Sequence, residues 1–121
     1  VADAENVVAA DYVGVVSGNK EPDKIKKAGW TVLKSEFVDA PLFEELPMAL
    51  ECKLISYDEE SCHLFADIIN VSADERILTD GKIDITKLRP IAYDPVRHAY
   101  EECSQMLGNA FKDGRQILSD K

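Results

Sequence analysis

The stretch MALECKLISYDEESCHLFADIINVS, from Met48 to Ser72, decides the fold. Met48 to Tyr57 alternates as a strand does. Ala49, Glu51, Lys53, Ile55 and Tyr57 fall on one face, and Leu50, Cys52, Leu54 and Ser56 on the other. Asp58-Glu59-Glu60-Ser61 is a polar turn. Cys62 to Ser72 is the returning strand, with Leu64, Ala66, Ile68 and Asn70 set against His63, Phe65, Asp67, Ile69 and Val71. Two long strands joined by so short a turn predict an antiparallel hairpin.

Upstream, Asp3 is placed to cap a helix from Ala4 to Val15, along which Val7, Val8, Tyr12 and Val15 recur near the helical period. Ser17-Gly18-Asn19 ends it, with Gly18 or Asn19 expected in the left-handed cap conformation. Pro22 opens a short helix through Ala28, and Gly29 closes it. Trp30 to Val38 reads as extended, and Ala40-Pro41 breaks it. Trp30 and Phe37 are read as core. Downstream, Asp80-Gly81 is a turn signal followed by a short segment, Lys82 to Leu88. Pro90 and Pro95 mark an irregular surface stretch. An amphipathic segment from Tyr100 to Leu107 ends at Gly108. Antiparallel strands with peripheral helices make the class α+β. About four strands are countable, few for a barrel, so a partner chain or a further segment is expected to complete the sheet.

The chain has 121 residues, 45% hydrophobic and 31% charged, which fits one globular domain spanning residues 1–121 and excludes a linker or a fibre. Its net charge of −9 disfavours nucleic acid and anionic membrane surfaces as partners. The charge is uneven: residues 1–40 carry −2, residues 41–80 carry −8 and residues 81–121 carry +1. No apolar run approaches the roughly 20 residues of a spanning helix. Cys52, Cys62 and Cys103 form no paired spacing, so they are expected as buried, reduced thiols of a cytoplasmic protein, with neither disulfides nor zinc. The two histidines, His63 and His98, stand in no metal-binding spacing.

No nucleophile with a base and an orienting acid can be assembled from the order of residues, so no catalytic residue is assigned. The adjacent pairs Glu44-Glu45, Glu59-Glu60 and Glu101-Glu102 point apart and read as solvated surface charge. The segment Ser17-Gly18-Asn19-Lys20-Glu21-Pro22-Asp23-Lys24 runs from a loop into a helix start. Free backbone donors beside a lysine would suit an anion, although a plain helical corner is the simpler account. His63 is read first as a strand histidine paired to a neighbour, with a ligand-facing role as the alternative.

These segments, taken in order, resemble the flavin reductase-like domain family, closest to its flavoredoxin-like members. Ser17-Gly18, Asp23-Lys24 and Gly29 are similar to the family's SG…DK…G segment. Phe37-Val38-Asp39-Ala40-Pro41 with Leu50-Glu51-Cys52-Lys53, His63 with Phe65, Leu88-Arg89-Pro90-Ile91-Ala92-Tyr93, and Gly108-Asn109-Ala110-Phe111 with Gly114 follow in the same order. The resemblance implies a mainly antiparallel split β-barrel of the FMN-binding type. It implies a homodimer and a flavin reduced by NAD(P)H or exchanging electrons with a redox protein. On this resemblance Lys24 would neutralise the FMN phosphate, Ser17 and Gly18 would shape the adjoining loop, and His63 would lie beside the flavin. The family carries further N-terminal strands, so the chain corresponds to the C-terminal two-thirds of such a domain and is expected to be an N-terminally incomplete barrel. The alternative is a split-barrel domain or fragment that no longer binds flavin and acts through protein–protein association.

Overall fold

A computed structural model describes residues 1–120 of the chain. Its elements are helix α1 (Val7–Val15), helix α2 (Lys24–Lys27), strands β1 (Val32–Lys34), β2 (Pro41–Phe43), β3 (Met48–Asp58), β4 (His63–Ala73), β5 (Leu78–Thr79) and β6 (Lys82–Ile83), helix α3 (Ile85–Leu88), and strands β7 (Ile91–Asp94) and β8 (Ala99–Glu102). Short 3-10 turns at Ala4–Asn6, Glu75–Ile77 and Asp113–Asp120 complete the chain. Every strand pairs antiparallel with its sequence neighbour, giving four two-stranded ribbons among the described residues: β1–β2, β3–β4, β5–β6 and β7–β8. Mixed helix with antiparallel strand is the architecture expected from the sequence.

The long hairpin forms as read, but its faces do not follow simple alternation. Register shifts between Glu51 and Cys52 and between Leu54 and Ser56 leave Ile69 and Ile55 without cross-strand partners. Each is a bulge, one residue extra on its strand. Residues directly opposite share a face. Met48, Leu50, Cys52, Leu54 and Tyr57 therefore stand beside Ala73, Val71, Ile68, Ala66 and Leu64. Ala49, Glu51, Lys53, Ser56 and Asp58 stand beside Ser72, Asn70, Asp67, Phe65 and His63. The bulges move Tyr57 and Val71 away from the charged face on which strict alternation places them, and move Asn70 and Ser56 onto it. One face becomes wholly apolar.

That apolar face is open. Leu50, Leu54, Tyr57, Leu64, Ile68 and Val71 are 44–62% exposed. A contiguous patch of this kind exceeds the scattered apolar surface usual on a soluble domain. For these 121 residues by themselves, Ile68→Ser is expected to shift stability by no more than about 0.5 kcal/mol, as an exposed site does, and to lower binding of an apolar dye. A loss of several kcal/mol in urea unfolding would show that Ile68 is covered in solution.

Among the described residues the buried apolar side chains are few: Trp30, Ile77 and Leu88. The Trp30 ring packs against Phe43 at 5.2 Å between centroids. Its indole N–H donates to Asn6 Oδ1 at 3.1 Å. Asn6 in turn donates through Nδ2 to Asp3 Oδ1 at 2.7 Å and to the Glu45 carbonyl at 3.3 Å. The first turn is thereby tied both to Trp30 and to the loop between β2 and the long hairpin.

Several local expectations are corrected. The first helix does end at Val15, as read, and Val16 is extended, but the expected cap is not there. Gly18 and Asn19 are not among the positive-φ residues. The last carbonyls are capped by the Lys24 amine instead. Gly29 does close α2, at φ +82°, with the Trp30 amide reaching back to the Ile25 carbonyl. Pro41 begins a strand and does not merely break one: it opens β2 opposite Lys34, at the start of a two-strand ribbon, a position proline tolerates. The stretch around Pro90 and Pro95, read as irregular, is the β7–β8 hairpin, with Tyr93 opposite Tyr100, and β8 takes in the start of the amphipathic segment, Tyr100 to Glu102. Asp80 and Gly81, both at positive φ, make the tight turn of β5–β6 as read. Phe37 is 57% exposed and is not core. Cys52, Cys62 and Cys103 are free thiols but exposed, not buried: Cys52 lies on the open apolar face, Cys62 at the hairpin tip, and Cys103 just past β8. Among the described residues no helix is long and apolar enough to cross a membrane.

Candidate functional site

Ser17, Gly18 and Lys24 meet at the corner between α1 and α2. The Ser17 carbonyl accepts the amides of Lys20 (3.2 Å) and Glu21 (3.0 Å), which folds the loop back toward α2. Ser17 Oγ accepts the Asn19 amide at 3.3 Å. The Lys24 stem crosses Gly18 so closely that a β-carbon there would lie 3.8 Å from Lys24 Cε. Lys24 Nζ donates to the Val13 carbonyl at 2.8 Å and the Val16 carbonyl at 2.9 Å.

Those two bonds give Lys24 a structural duty that the sequence did not suggest. An ammonium at the carboxyl end of a helix satisfies orphan carbonyls and complements the helix dipole. An ammonium has three donors, so two carbonyls leave one N–H for an anion. α2 is a single turn beginning at Lys24, so its dipole adds little. The attraction for an anion rests on Lys20, Lys24, Lys26 and Lys27, which outnumber Glu21 and Asp23 in a chain of net charge −9. Lys27 is held by Glu21 at 2.8 Å.

His63 is placed elsewhere. It pairs with Asp58 at the tip of the long hairpin, and its amide donates to Ser61 Oγ at 3.4 Å. No described hydrogen bond joins it to the Lys24 corner. The structure thus brings together three of the four residues singled out from the sequence.

An open cavity of about 630 Å³ lies between the loop after β1 and the long hairpin. It is lined by Phe37, Val38, Asp39, Cys52, Lys53, Leu54 and Ile69. Neither His63 nor any residue of the Lys24 corner lines it.

Glu51, whose place in the fold sequence reasoning missed, organises the ground beside that cavity. It is 4% exposed. Its carboxylate accepts from Ser35 Oγ at 2.6 Å, from Asn70 Nδ2 in a short contact, and from Ser72 Oγ at 3.1 Å. Ser35 Oγ also accepts the amides of Phe37 and Val38, both at 3.1 Å. The bonds from Ser35, then Asn70 and Ser72, favour the ionised form and hold the Glu51 carboxyl below its ordinary range. A glutamate in mid-strand with Asn and Ser opposite was the available signal, but the bulge at Ile69 hides that register. Glu45 is held low in the same way, with both oxygens accepting the Thr31 amide at 2.9 and 2.8 Å.

No family model matches the chain. The flavoredoxin of Desulfovibrio vulgaris (Miyazaki F) superposes with a TM-score of 0.85 and 38% identity, over 94% of this chain and 62% of that one. A flavoredoxin from Methanosarcina acetivorans superposes with a TM-score of 0.80 and 28% identity, over 95% and 61% respectively. An FMN-binding domain of a flavin reductases-like enzyme from Shewanella baltica OS155 shares the fold, with a TM-score of 0.70 and 17% identity over 87% and 58%. An uncharacterized protein of Escherichia coli (strain K12), YddH, is 36% identical over 74 residues, 58% of this chain and 39% of its own length. The chain thus spans about three-fifths of the flavoredoxin chains it matches.

Proposed function

We propose that the chain is an FMN-binding oxidoreductase or electron-transfer domain of the flavin reductase-like family, which its likeness to flavoredoxin supports. The observation that carries the proposal is the agreement with flavoredoxin, in backbone and in 38% of residues, along 94% of the chain. FMN fits the residues present at one point: a phosphate dianion suits the lysine-rich corner, where Lys24 keeps an N–H to offer. In this reading Lys24 binds the phosphate, Ser17 and Gly18 shape the loop against it, and His63 lies toward the flavin. FMN, when bound, supplies the hydride or electron chemistry of its ring, and the protein supplies binding and orientation. NAD(P)H or a redox protein is the proposed electron source, the cytoplasm the proposed compartment and a homodimer the proposed assembly.

We further propose that the open apolar face of β3–β4 is an inner wall of a split barrel, covered by strands beyond those described. A two-stranded ribbon with one fully apolar face needs such cover to be stable. The unmatched two-fifths of the flavoredoxin chains is consistent with this.

Titration with FMN, read by quenching of flavin fluorescence, tests the proposal. Lys24→Ala is expected to weaken FMN at least about tenfold, the loss of one charged hydrogen bond. Lys82→Ala should change it less than twofold. Riboflavin, which lacks the phosphate, should not distinguish the two variants. Equal effects of both variants on FMN would remove Lys24 from the site. The second reading, a domain acting through association without flavin, is favoured by the part of flavoredoxin that this chain does not match. It predicts a melting temperature indifferent to FMN, whereas binding at 100 times the dissociation constant adds about 2.7 kcal/mol.

A further inference from the structure

We propose that the pocket between α1 and the β7–β8 hairpin binds a small methylated ammonium ion, a site separate from the lysine-rich corner. The pocket has a volume of about 450 Å³ and is lined by Asp11, Gly14, Val15, Tyr93, His98 and Tyr100. Tyr93 and Tyr100 are direct cross-strand partners. Their rings lie 5.8 Å apart between centroids and are inclined at 51°, so they form two walls of an aromatic corner. Tyr100 donates its hydroxyl to Asp11 Oδ1 at 2.7 Å. That bond ties the ring to a carboxylate of the pocket's lining and engages Asp11 through Oδ1. On the helix side Gly14 offers no side chain, and a β-carbon there would meet nothing within 4 Å.

Asp11 is the one acidic and His98 the one basic side chain of the pocket's lining. Its lining contains no lysine or arginine. The nearby Arg97 is turned to Asp94 (2.8 Å) and Glu101 (2.7 Å). Two electron-rich ring faces with a carboxylate are the recognition chemistry of quaternary ammonium groups, and the net charge of −9 favours the approach of a cation. Anions are the opposite case, so this pocket and the Lys24 corner select ligands of different sign. The rings are partly exposed, Tyr93 at 58% and Tyr100 at 42%, which sets the expected affinity on the order of millimolar.

Choline chloride titrated against the full chain tests the assignment through the upfield ring-current shift of its trimethylammonium protons, at constant ionic strength. The expected result is saturable binding at least about tenfold tighter than that of 3,3-dimethylbutanol, which has the same shape without the charge. Tyr93→Leu should weaken choline about fivefold, while Tyr93→Phe, which keeps the ring, should retain it. Asp11→Asn should weaken it as well. Phosphocholine should bind less tightly than choline, and the reverse ranking would overturn the assignment to a free ammonium ion in favour of a headgroup site. Equal binding of the neutral isostere, indifference to Tyr93→Leu, or no saturable shift would each overturn the proposal. Far-ultraviolet circular dichroism of each variant separates loss of the site from loss of the fold.

Discussion

Glu51→Ala is expected to lower the thermal midpoint by on the order of 10 °C, as the loss of several charge-assisted hydrogen bonds does in a domain this size. The carboxylate is the common acceptor for Ser35, Asn70 and Ser72. Its removal strands three donors at once and frees the loop after β1 from the long hairpin. Glu51→Gln is the sharper probe. It keeps the shape but replaces one acceptor oxygen with a donor that faces other donors. It should recover only part of the loss. A midpoint within 2 °C of the parent for Glu51→Ala, about the scatter of surface changes, would show that the network holds nothing together.

The pH dependence follows from the same carboxylate. Its hydrogen bonds lower its pKa in the folded chain. The stability it contributes is therefore fully present above the unfolded glutamate value of about 4.3, and is lost as pH falls through the folded value. Glu45 acts in the same direction. Melting curves from pH 6 to pH 3 should fall less steeply for Glu51→Gln than for the parent. Parallel curves would rule out a native-state contribution from this group.

Trp30→Ala is expected to cost about 3–5 kcal/mol in urea unfolding, the usual range for emptying a buried aromatic site. With Ile77 and Leu88 it makes up the buried apolar core, and few neighbours are available to close the void. The same change orphans Asn6 Oδ1, which otherwise accepts the indole N–H. Trp30→Phe keeps the ring against Phe43 and loses mainly that hydrogen bond, for about 1 kcal/mol. If both variants cost the same, the hydrogen bond rather than the packing would be the anchor.

The long hairpin, the short helix closed by Gly29 and the Asp80-Gly81 turn were legible because each rests on local chemistry: alternation, a cap, a turn. The β1–β2 and β7–β8 ribbons were not. Pro41, Pro90 and Pro95 signal a break to any local reading, and pairing across a loop is invisible along one strand. The helix end at Val15 was legible but its cap was not, because Lys24 stands nine residues on. The corner of Ser17, Gly18 and Lys24 was legible as a group since all three lie within one turn of chain. His63 was assigned beside them only through family resemblance, and its position at the hairpin tip comes from the register of a different ribbon. Glu51 and the Tyr93–Tyr100 pair owe their roles to residues brought opposite by that same kind of pairing.

The two unpaired isoleucines also govern how this domain can change length. Removing the codon for Ile55 or Ile69 would erase one of the two bulges and leave every other side chain of the hairpin on its present face. Removing the codon for Leu50 would instead roll Met48 and Ala49 over, exchanging inside for outside at the strand's entry. Bulges also bend and coil a ribbon. Single-residue deletions across natural variants should therefore collect at Ile55 and Ile69, and each would straighten the ribbon without scrambling its surface.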